Sequence, residues 1–198
     1  WSSDVCSSDL SSSSLTTKTS SVEDGIIAAL RENAGHAIRS ADRSANLAQN
    51  SADRAVRAER DAAIEANRCC EALRRAVRLR DAPGLSTIKN RDHAVQREQD
   101  RAKVHSAAAK KFAERASSYA YRANGEAREA ALYKDRAVSH LMAAMDTDPS
   151  AAAAVHRARA AQSRAVAARQ LAMTASQQAT DYANRATTAS FAKLDNGA

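Results

Sequence analysis

Two groups of residues have the types and spacing to do chemistry. Arg74, Arg75, Arg78 and Arg80 are the densest basic group of the chain. Guanidiniums placed this close together suit contact with phosphate or with an acidic surface. They also sit where the last turns of a helix are expected, and cations there complement the helix dipole without any ligand. The second group is a stripe spaced by sevens: His105, Phe112, Tyr119, Glu126, Tyr133 and His140. It holds three of the few aromatic residues and suits packing against a third helix, a second copy or another helical partner. Stacking of bases is the sharper alternative, but Glu126 interrupts the stripe and repels phosphate, which favours packing.

Other chemistry finds no support. The cysteines are Cys6 and the adjacent pair Cys69-Cys70, and neighbouring positions on a helix point about 100° apart. No second pair completes a zinc site. Cys69 falls on an apolar row, where cysteine acts as a small hydrophobe, and the unpaired usage fits reducing, cytoplasmic surroundings. His36, His93, His105, His140 and His156 form no close ligand pair, and no phosphate-binding glycine loop or nucleophile elbow occurs. The acids interleave with arginine as on a solvated helix face, with Asp53/Arg57 and Glu71/Arg75 in the favourable four-apart order. The chain is therefore expected not to be an enzyme, and to use no metal, cofactor or small-molecule substrate.

The elements that would carry these groups are helices. Alanine supplies 49 of 198 residues, aromatics only 4%, and there are 5 glycines and 2 prolines. Sheets need β-branched and aromatic residues with frequent turns, so the composition excludes them. Ala82-Pro83-Gly84 and Asp146-Thr147-Asp148-Pro149 are the two breaks. They divide the chain into helices over about 22–81, 86–146 and 149–192, with Ser20 and Ser21 capping the first and Asp148 the third.

Apolar residues recur every seven positions. The first helix carries Ile27, Ala34, Ala41, Ala48, Ala55, Ala62, Cys69 and Ala76, with Ile38, Ala45, Ala52, Ala66 and Leu73 as its second row. The second carries Ile88, Val95 and seven alanines from Ala102 to Ala144; the third carries Ala151 to Ala186. Glu59 and Lys134 break the second rows. A strict 3.5-residue period implies left-handed supercoiling, and alanine at the seam implies close helix approach. Short connections make neighbouring helices antiparallel. The expected fold is all-α, an antiparallel alanine-rich coiled coil or up-down-up three-helix bundle.

Residues 1–20 read as a disordered leader, 21–193 as a single bundle and 194–198 as a tail. Trp1 to Leu10, WSSDVCSSDL, resembles a translated sequencing-adaptor scar and is left out of the fold. No run approaches the length of a membrane span. Net charge is +7, with arginine dominant and no run of five basic residues. In composition, residues 25–192 resemble alanine-rich coiled-coil segments of bacterial surface, secreted and phage structural proteins. That resemblance carries no diagnostic motif. The leading functional expectation is a structural or protein-interaction module, a rigid scaffold or spacer that self-associates or binds another helical protein. The alternative is a basic polyanion binder that holds nucleic acid through its arginine-bearing faces.

Overall fold

The computed structural model describes residues 13–82, 88–142 and 148–191. They form three helices: α1 over Ser13–Asp81, α2 over Ile88–Leu141 and α3 over Pro149–Phe191. At 1.5 Å per residue these span about 100, 80 and 65 Å. No strand occurs among the described residues, and every helix packs against the other two.

Cross-helix partners establish the topology. His105 of α2 meets Glu65 of α1, and Glu98 lies against Arg75, so residue numbers run in opposite directions and α1 and α2 are antiparallel. Between α2 and α3, Ser106 meets Thr187 and Ser117 meets Ser176, again antiparallel. Between α1 and α3, Arg31 meets Asp148 and Cys69 meets Ala186, both pairs 117 residues apart. These two helices run parallel and stay in step. The result is an up-down-up three-helix bundle.

The seven-spaced rows form the core. Ala41, Ala48, Ala55, Ala62, Cys69 and Ala76 of α1 are fully buried, as are Ala102 to Ala137 of the α2 row and Ala158 to Ala186 of the α3 row. Each buried methyl gains only about 0.8 kcal/mol, so stability comes from a long row of small contacts and from alanine's high helix propensity. The second rows shift by one residue where the expected side chain is large or charged. Ala58 is buried in place of Glu59 and Ala72 in place of Leu73 on α1, and on α3 Ala183 is buried beside the half-buried Tyr182. A helix that touches two neighbours buries a wider stripe than a two-stranded seam, and the adjacent residue turns inward while the bulkier one stays at the margin. Lys134 is half-buried and pairs with Asp135.

The N-terminal end departs from the sequence reading. α1 starts at Ser13, so residues 13–20 of the expected leader are helical, and Ser20 and Ser21 lie inside the helix rather than capping it. Extending an existing helix needs no new nucleus, and serine and threonine cost only tenths of a kcal/mol each, about 0.5, relative to alanine. Ile27, the expected first member of the buried row, is exposed, because α3 begins only at the level of Arg31. The third helix starts as expected. Asp148 Oδ1 accepts from the Ser150 amide at 2.8 Å, and its carbonyl accepts from Ala151 and Ala152. Hydrogen bonds from Ser150, helped by the Arg31 charge, hold the Asp148 carboxyl below the usual range. The expected scar at Trp1 to Leu10, the helix ends at 86–87 and 143–146, the tail at 194–198 and the side chain of Ile88 lie outside the described residues.

Candidate functional site

The aromatic stripe lies on the flank of α2 that faces α1. His105 Nδ1 donates to Glu65 Oε2 of α1 at 2.7 Å. Phe112, Tyr119 and Tyr133 are half-buried against the alanine core, and His140 is half-buried at the far end. The third helix, offered above as one neighbour for the stripe, therefore lies on the other flank. A seven-residue spacing identifies a flank beside the seam but not which neighbour covers it; the order of the helices around the bundle does that.

An arginine row, not singled out in the sequence, runs beside the stripe. Arg115, Arg122 and Arg136 each follow an aromatic residue by three positions, and their guanidinium carbons lie 5.4, 5.9 and 5.6 Å from the ring centres of Phe112, Tyr119 and Tyr133. Helical neighbours at that spacing share a face, so this half of the arrangement was available as a sequence signal. The other half is tertiary. Arg54 of α1 lies 6.0 Å from the Tyr119 ring, and Arg54, Arg57, Asp61, Phe112, Arg115 and Tyr119 surround a recess of about 240 Å³.

Both rows are interrupted in the same heptad, at Glu126 and Glu129. Glu129 Oε2 accepts from the buried Ser44 hydroxyl of α1 at 3.4 Å. Glu126 Oε2 is buried with no hydrogen-bond partner. Burial, reinforced by the charge of Glu129, pushes the Glu126 carboxyl up. Glu65 behaves in the opposite way. Burial alone would raise it, but hydrogen bonds from His105 and Arg68 outweigh that and hold its carboxyl below the usual range.

The group Arg74, Arg75, Arg78 and Arg80 stands at the C-terminal end of α1, where Arg78 and Arg80 occupy the last turn. The bundle uses half of it internally. Arg75 approaches Glu71 at 3.6 Å and the buried Glu98 of α2 at 3.9 Å, and Arg101 holds the other oxygen of Glu98. Arg80 pairs with Asp81 at 2.9 Å. Arg74 and Arg78 point to solvent. The stripe and this basic group are therefore not brought together.

Cys69 is fully buried on the seam, and its thiol lies 3.5 Å from the Ala186 carbonyl of α3. Burial, then the neighbouring Cys70, pushes the Cys69 thiol up; Cys70 is half-buried and both are free. Among the described residues, no three side chains of the metal-ligating types come together, and no helix is long and apolar enough to cross a membrane. Compared with protein families, curated proteins and solved structures, the chain matches none.

Proposed function

We propose that the chain is a non-enzymatic coiled-coil module, a rigid spacer or scaffold that self-associates. The observation that carries this reading is the unequal length of the three helices. α1 runs back from the level of Arg31, where α3 begins, to Ser13. Over that extension residues 23–29 are exposed, and Ile26 and Ile27 stand 55% and 42% accessible. Two adjacent isoleucines left open on a helix that elsewhere buries its apolar row suit a second helix of the same kind. The alanine seam supports the spacer role, because small side chains bring the helices close and leave little freedom for them to slide.

Light scattering on a sizing column, under reducing conditions and at low and high salt, tests the reading. A salt-insensitive dimer or larger species, reduced to monomer by Ile26→Glu with Ile27→Glu, is expected. A monomer at every concentration, in the parent chain as in the variant, would overturn it.

A further inference from the structure

We propose that the groove between α1 and α2 around Phe112 and Tyr119 binds single-stranded nucleic acid. Four guanidiniums from two helices converge there. Arg54, Arg57 and Arg115 line the recess, and Arg122 covers Tyr119 beside it. None of the four is paired with a carboxylate among the described residues; most of the other arginines share that state, and what sets these four apart is that two helices bring them to one recess. Asp61 is the one acid in the recess. The contact of Arg54 with the Tyr119 ring helps join α1 to α2, but four like charges around one groove repel one another and exceed what the rings require. They do suit a phosphodiester backbone, which gains by releasing its counterions.

The rings select the kind of nucleic acid. Three of the four arginines lie near a ring, Arg54 and Arg122 at Tyr119 and Arg115 at Phe112. A guanidinium held near a ring keeps its N–H fork free for phosphate and offers a plane on which an unpaired base stacks. Bases in a duplex are not available for this. Phe112 and Tyr119 are seven residues apart on one helix, about 10 Å, which allows successive stacking positions along the groove. The acids bound the site. Glu126 and Glu129 lie on one side of it, and Glu65 with His105 on the other. A larger recess between α2 and α3, of about 360 Å³, has only Arg128 and Arg169 as cations and makes the poorer phosphate site.

Fluorescence anisotropy of a labelled short oligothymidylate with the full chain tests the proposal. Binding is expected to weaken with salt at a log–log slope of about −3, for four phosphate contacts on a single strand. Arg115→Gln with Arg122→Gln should cut affinity about tenfold or more and flatten the slope by about 1.4. Phe112→Leu with Tyr119→Leu should cut it about fivefold or more with the slope unchanged. Arg74→Gln with Arg78→Gln removes the same charge elsewhere and should leave affinity unchanged. Circular dichroism confirms that each variant stays helical. The proposal is overturned by absence of binding at low salt, or by equal losses in the Arg74/Arg78 variant. It is also overturned if a duplex of equal length or inorganic polyphosphate binds as tightly as the oligothymidylate.

Discussion

Ala123→Leu separates close alanine packing from a loosely filled bundle. Ala123 is fully buried, in one cluster with Ala48 of α1 and Ala168 of α3, which are equally inaccessible. If the layer had room, the three added carbons would gain about 2.4 kcal/mol at roughly 0.8 per methylene. With alanines on both facing helices, room is made only by forcing the helices apart. Overpacking of this kind costs about 1–3 kcal/mol. The upper end is expected, because neighbouring layers lose contact as well. Ala123→Gly is the matched deletion: about 1 kcal/mol of helix propensity and about 0.8 of methyl burial predict a loss near 2. Ala167→Leu, at an exposed position of α3, should change stability by less than about 0.5 kcal/mol. Urea unfolding followed by far-ultraviolet circular dichroism, at one fixed protein concentration, reads all three. A higher midpoint for Ala123→Leu than for the parent chain would refute the packing argument.

Two buried groups make further predictions. Glu126, raised in the folded state, costs stability above its folded pKa, and that cost vanishes below its unfolded value; Glu65, depressed, contributes stability above its unfolded value that is lost as pH falls through the folded one. Glu126→Gln should therefore raise the melting temperature near pH 7 and Glu65→Gln should lower it, with both differences smaller at about pH 4; the same sign for both variants would refute the assignment. In a chain carrying Cys69 as its sole cysteine, a thiol reagent should label only as fast as the bundle unfolds, while Cys70 alone labels readily in the native state. Mass spectrometry against time distinguishes the two, and rapid native labelling of Cys69 would place it off the seam.

The seven-spaced alanine rows, the capping Asp148 followed by Pro149 and the scarcity of strand formers determined the helices, their order and most of the buried face. These follow from local geometry: a helix places every seventh residue on one side whatever lies opposite, and proline and a capping aspartate act on their own backbone. Where the expected buried face differs from the observed one, a neighbour had intervened. Ile27 is exposed because α3 starts too late to cover it. Ala58 and Ala72 are buried instead of Glu59 and Leu73 because two facing helices claim a wider stripe. The convergence of Arg54 and Arg57 with Arg115 and Arg122 joins residues some sixty positions apart, and only the antiparallel register of α1 on α2 brings them together. Periodicity tells which residues share a side of one helix; which side meets which neighbour depends on the register and order of all three helices, and these are settled only when the rows pack.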